Sequence, residues 1–225
     1  MVYKITQLDS RHKIFIETLI LTILILLIGF LIGFYVESAR NERLTNDYKW
    51  FEIEALDLKL QNYYYQTLDA SDCKTAIEEN LRFADDIYNE GITLQRYEDA
   101  GELLEDSILL EKKRYILLKT ELWLNSILLK EKCNNPFHTV TYIYTQYPSE
   151  TIEAQQAAIA NILRKIKEEK GNDVILLPIA GDIGLNSVDI QLRRFNNPEL
   201  PVIIIDEKII LSGFSSEEEI KKHLD

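Results

Sequence analysis

The chain has 225 residues, 46% of them hydrophobic and 28% charged, and carries a net charge of −12 at pH 7. That length allows two modest domains and one core of useful size. Residues 1–36 carry +1, so −13 falls on the remainder; this argues against nucleic acid or anionic lipid as its partner, because phosphate binding needs clustered Lys and Arg.

Residues 1–13 form a short tail. Ile14 to Val36 reads IFIETLILTILILLIGFLIGFYV, with Glu17 its only charge. As a helix these residues span about 34 Å, enough for the hydrocarbon core of a bilayer. The apolar region of a cleavable signal is shorter, about 7–15 residues, so the segment reads as an uncleaved signal-anchor and the protein as single-pass. Val36-Glu37-Ser38 before Ala39 mimics a cleavage site and keeps cleavage as the alternative. Lys4, Arg11 and Lys13 precede the span, and Arg40, Arg43 and Lys49 follow it. The positive count is tied. The uninterrupted basic residues before the span favour a cytoplasmic N-terminus, with the C-terminal part outside. Gly29 and Gly33 form a G-x-x-x-G pair, a face through which two copies could pack as a homodimer.

Residues 37–135 read as a helical stalk or bundle. Leu44, Tyr48, Phe51, Ala55, Leu58 and Tyr65 recur at helical steps. Asp69-Ala70-Ser71-Asp72 interrupts them and supplies a cap for the next helix. Ala76, Ile77, Leu81, Ala84 and Ile87 line a second helix expected to stop at Gly91. A third, from Leu94, carries Tyr97, Gly101, Leu104, Ile108, Tyr115, Leu118, Leu122 and Leu129, and ends at Asn134-Asn135-Pro136. A Tyr and Leu stripe at this spacing reads as bundle core, with no cofactor implied.

Residues 136–225 change character. HTVTYIY, His138 to Tyr144, is β-rich. A helix starts at Pro148-Ser149 and runs through Lys170, with Ile152, Ile159, Ile162, Leu163 and Ile166 as its buried stripe. Val174 to Ile179 is an apolar strand, and Ser187 to Phe195 a further helical element. Val202 to Ile205 and Ile209 to Leu211 make a hairpin turning at Asp206-Glu207-Lys208, with Pro201 in the position a strand's first residue tolerates. Gly213 and Ser215-Ser216-Glu217 start a last helix, with Phe214, Ile220 and Leu224 on its apolar side. The order is β-α-β-α-β-β-α, an α/β domain in which the first β-α-β unit should be parallel.

This order, and LPVIIIDEKIILSGF above all, resembles the thioredoxin fold over about Phe137 to Asp225. With the helical region beside it, the chain is similar to a group of membrane-anchored prokaryotic thioredoxin-like proteins. The resemblance implies a cis bond before Pro201, facing the place of a redox motif. Where the first strand meets its helix the chain reads YTQYPSETIEAQ. Aligning Gln155 with a glutamine found just past the motif in that group puts Ser149 and Ile152 at the two cysteine positions. Neither offers the thiolate that disulfide exchange needs. No His is near Ser149 in sequence, so it reads as a helix N-cap rather than a nucleophile.

The two cysteines of the chain, Cys73 and Cys133, lie outside that domain. Cys73 opens the second helix and Cys133 follows the third, so the pair can staple the bundle. Two buried free thiols in a reducing compartment, or a labile redox pair, are the other readings. Gly181-Asp182-Ile183-Gly184 lacks the Lys and Ser or Thr of a P-loop and reads as a turn. His12, His138 and His223 have no metal-ligand spacing. The sequence therefore leads to a membrane-anchored, redox-inactive thioredoxin-like protein that binds a protein or peptide partner outside the cytoplasm. Its rivals are a thiol-disulfide protein of the cell envelope working through Cys73 and Cys133, and a purely structural membrane protein.

Overall fold

The computed structural model describes Tyr3–Asp69, Asp72–Ala100 and Glu105–Leu224. Ala70 and Ser71, expected in a helix cap, and Gly101 and Leu104, expected on the third helix, lie outside the described residues, as do the side chains of Leu44, Tyr48, Phe51, Ala55 and Leu58. Two compact units emerge, Met1–Lys59 and Leu60–Asp225.

The first unit is helical throughout its described part and belongs to α1 (Tyr3–Thr67). Ile14–Tyr35 has a mean hydropathy of 2.8 and none of it is buried. By length and composition it can cross a bilayer. Its hydroxyls are satisfied along the helix: Thr18 Oγ1 donates to the carbonyls of Ile14 and Phe15, and Thr22 Oγ1 to that of Thr18. Such back-bonding is what apolar surroundings demand, since an unpaired hydroxyl there costs several kcal/mol. Gly29 and Gly33 leave open surface on the helix, with nothing within 4 Å of either missing Cβ.

In the second unit, α2 (Cys73–Ala100) packs against α3 (Glu105–Lys132), and the end of α1 is hydrogen-bonded to α3. Helix α2 does not stop at Gly91 as expected; Leu94 and Tyr97 belong to it rather than to the third helix. At Gly91 the Tyr115 side chain of α3 lies close against α2, and a Cβ there would overlap the Tyr115 hydroxyl. The intrinsic penalty of a mid-helix glycine is only about 1 kcal/mol, so α2 can run through it to Ala100. Tyr65, Leu68, Ala76, Ile87, Leu118, Leu122 and Leu129 fill the bundle core. Asparagines enter it too: Asn62 donates to Asn125, and Asn80 to Ser126. Cys73 and Cys133 are joined by a disulfide, and both are half-buried. Beside it, Lys132 Nζ donates to the Gln66 carbonyl, closing the C-terminal end of α1.

Strands β1 (His138–Tyr144), β2 (Val174–Ala180), β3 (Val202–Ile205) and β4 (Ile209–Ser212) form one mixed sheet in the order β2-β1-β3-β4. β1 pairs with β2 in parallel, and the other neighbours are antiparallel. Pro178 is tolerated inside β2 because that strand is an edge. Both faces are covered, so the strands read as continuous apolar runs instead of alternating ones. One face carries Val140, Tyr142, Val174, Ile203 and Ile205, packed under α4 (Glu150–Lys170) and α6 (Glu217–Lys221) through Ile159, Leu163, Ile166 and Ile220. In α4, Ile152 and Ile162 are only half-buried. Phe214, expected on the apolar side of the last helix, is exposed, and Ser215 is buried in its place.

The opposite face is covered by α3, against which α5 (Asn186–Arg194) packs, so packing crosses Pro136. Trp123 of α3 stacks on Phe195 at 5.9 Å between ring centroids. Helix α3 thus has two buried sides. Tyr115, Leu118, Leu122, Asn125, Ser126 and Leu129 lie about one face of a 3.6-residue helix, toward the bundle; Ile116, Lys119, Trp123 and Lys130 lie about another, toward the sheet.

Candidate functional site

Ser149 and Ile152, expected from the resemblance at two cysteine positions, lie where the chain passes from β1 into α4. Ser149 stands at the N-cap with extended backbone, but its hydroxyl makes no cap bond. Its carbonyl accepts from Glu153 N at 2.8 Å. Ser149 is exposed and Ile152 half-buried in the first turn. No sulfur is present here, since both cysteines are held in their disulfide. Glu150 and Glu153 occupy the first turn of α4, so the positive helix end already faces carboxylates and favours no further anion.

The loop before α4 is held at several points. Gln156 Oε1 accepts from Thr145 N, and its Nε2 donates to Thr145 O. The Asp182 carboxylate accepts from Gln146 N at 2.6 Å and from the Thr145 hydroxyl. The Leu200–Pro201 peptide bond is cis. Pro201 is buried, and its carbonyl accepts from Gly213 N at 3.1 Å. Gln155 Nε2 lies 3.6 Å from the place of a Gly213 Cβ, which brings the start of α4 and the Pro201–Gly213 contact to one corner. Tyr147, two residues before Ser149, is 72% exposed, and Phe214, next to Gly213, is 60% exposed. The corner thus offers apolar rings on a pinned backbone and no thiol.

Charge is concentrated elsewhere, beneath α3. Lys130 Nζ is 2.5 Å from Asp206 and 2.9 Å from Glu207, and donates to Thr139 Oγ1. Trp123 Nε1 donates to Glu207, and His138 Nδ1 is 2.6 Å from Asp206. Burial opposes ionisation of Asp206, yet the hydrogen bonds from Lys130, Thr139 N–H and His138 outweigh it and hold its carboxyl below the usual range. Eleven residues earlier, Lys119 Nζ donates to the Pro178 carbonyl at 2.6 Å and sits 3.8 Å from the Tyr115 ring centroid. Burial pushes its ammonium down to about 7. Among the described residues no group of His, Cys, Asp and Glu is placed to hold a metal.

Sequence reasoning read Asp182 only as part of a turn, and it passed over Gln156, which holds the corner's loop with it, and both buried lysines. The signal for Lys119 was there: it stands four residues after Tyr115 and three before Leu122, inside the helical stripe. Ser149, Ile152 and Pro201 fall in one region of the α/β part, and the disulfide lies in the bundle. No family model matches the chain, and no curated protein does. A solved structure described as "Structure of a malarial protein" is similar over 40% of this chain and 99% of its own, at 23% identity and a TM-score of 0.30. A likeness of that size carries no argument about fold or activity.

Proposed function

We propose that the chain is a membrane-anchored binding protein whose thioredoxin-like domain, outside the cytoplasm, holds a protein or peptide segment at the Tyr147–Pro201–Phe214 corner without redox chemistry. The observation that carries this reading is the corner itself: the start of α4 offers Ser149 and Ile152 where thiols would act, while two aromatic side chains stand exposed around a fixed backbone. The sheet order β2-β1-β3-β4, parallel only between β1 and β2, supports the thioredoxin-like assignment. The disulfide supports an oxidising compartment, where such bonds persist.

The test uses the full chain in mild detergent and in native membranes. Insulin reduction by dithiothreitol should proceed at its uncatalysed rate with the protein present. A photo-crosslinking residue at Tyr147 or Phe214 should capture a discrete product that the same residue at exposed Lys222 does not. Catalysed reduction that vanishes in Cys73→Ser would transfer the function to the disulfide. Identical products at all three positions would remove the corner's role.

A further inference from the structure

We propose that Lys119 makes the seam between α3 and β2 a pH-responsive contact, firm while its amine is neutral and loosened once it is protonated. The side chain is fully enclosed, 5% exposed, in the part of α3 that lies on the sheet. Its partners are one backbone carbonyl, Pro178 O, and the face of Tyr115. A neutral amine brings no charge to be matched, and that acceptor takes one of its two N–H donors. An ammonium has three donors and wants a carboxylate, and among the described residues none pairs with it.

The surroundings give no substitute. Strand β2 (Val174–Ala180) has no ionisable side chain. Helix α2 and strand β1 bring Tyr88 and Tyr144 toward Tyr115, and burial raises the Tyr115 hydroxyl, so this ring stays neutral across the range concerned. Helix α5 carries Asp189, Arg193 and Arg194, of which both arginines are exposed. On α3 itself Arg114 pairs with Glu90 and Glu111. Glu121, half-buried with its carboxyl raised by burial, accepts from Asn62 on the bundle side. Lys130, about 16 Å along the helix, is matched by Asp206 and Glu207. Among the described residues Lys119 is enclosed without a counter-charge, and burial is the cause of its shift to about 7.

The sign follows from proton counting. When the seam opens, Lys119 returns to water and an ordinary value near 10.4, so the open state binds more protons between about pH 7 and 10. Opening becomes easier as pH falls, about tenfold per unit there, and levels off below about 7. Hydrogen exchange on the full chain in detergent, corrected for intrinsic rates, reads this directly at residues 174–180 and 113–123. From pH 8.5 to 6, opening should rise roughly 30-fold in the wild type, and stay within about twofold in Lys119→Met. Equal behaviour of the two proteins overturns the proposal. If Lys119→Met does not fold, the 13Cε resonance of Lys119 in lysine-labelled wild type decides: a midpoint near 7 supports it, and one above about 9 overturns it.

Discussion

Replacing both cysteines, Cys73→Ser with Cys133→Ser, removes a cross-link between residues 60 apart in sequence. In the chain-entropy account, closing a loop of that length takes about 14 cal/mol/K from the unfolded chain, or about 4 kcal/mol at 25 °C. That is a large fraction of the roughly 5–15 kcal/mol that holds a typical domain. The effect should reach beyond the bundle, because α3, which ends beside Cys133, also covers the sheet. Urea unfolding in mild detergent can follow Trp123, which is stacked on Phe195 in the core. With a slope of about 2 kcal/mol/M, the midpoint should fall by roughly 2 M. Either single variant should fall as far as the double, and dithiothreitol should bring the wild type to the same midpoint while leaving the double variant unmoved. A double variant within about 0.5 M of the oxidised wild type would refute the argument that the cross-link restrains the unfolded chain.

Further outcomes follow from other contacts. Gly91→Ala should destabilise by about 1–2 kcal/mol in the wild type, because the new Cβ meets Tyr115. In a Tyr115→Ala background the same change should stabilise by up to about 1 kcal/mol, the ordinary helix preference; denaturation of the four proteins closes that cycle. Lys130→Ala strands Asp206 and Glu207 beneath α3 and should cost about 3–5 kcal/mol in the same assay. Asp206, held below its usual value, contributes stability that is complete above about pH 4 and disappears as pH falls through its folded value. Asp206→Asn should therefore flatten the acid limb of a pH–stability profile. Protease added to spheroplasts should digest residues 136–225 while carbonate-washed membranes retain the anchor; full protection in sealed spheroplasts would reverse the orientation.

Much of the α/β part was legible because its signals are local. HTVTYIY is β1 to the residue, and Ser216 caps α6 by accepting from Glu219 N. The Asp206–Glu207 turn agrees as well, although both residues take left-handed φ and only Asp is common there. The misreadings share one cause, contacts distant in sequence. Gly91 looked like a stop because Tyr115 approaches from another helix. Lys119, Trp123 and Lys130 were passed over because the sheet that covers them comes later in the chain. Phe214 looked apolar enough to be buried, while Ser215 fills that place. At the candidate corner, Ser149 was legible as the start of α4, but its hydroxyl caps nothing. Asp182 and Gln156 were not legible, because their partners lie in a loop whose path only the folded chain defines.

The double-sided burial of α3 sets an order of events during synthesis. Chains emerge from the ribosome N-terminus first and tend to fold in that direction, so α2, α3 and both cysteines are made before β2. The bundle can close and its disulfide form while Lys119, Trp123 and Lys130 are still in water. Nascent α3 is then a half-finished template, its lysines fully charged and hydrated. Docking of the sheet strips that hydration: Asp206 and Glu207 arrive with the last hairpin to neutralise Lys130, whereas for Lys119 no carboxylate arrives among the described residues, and burial disfavours its charge.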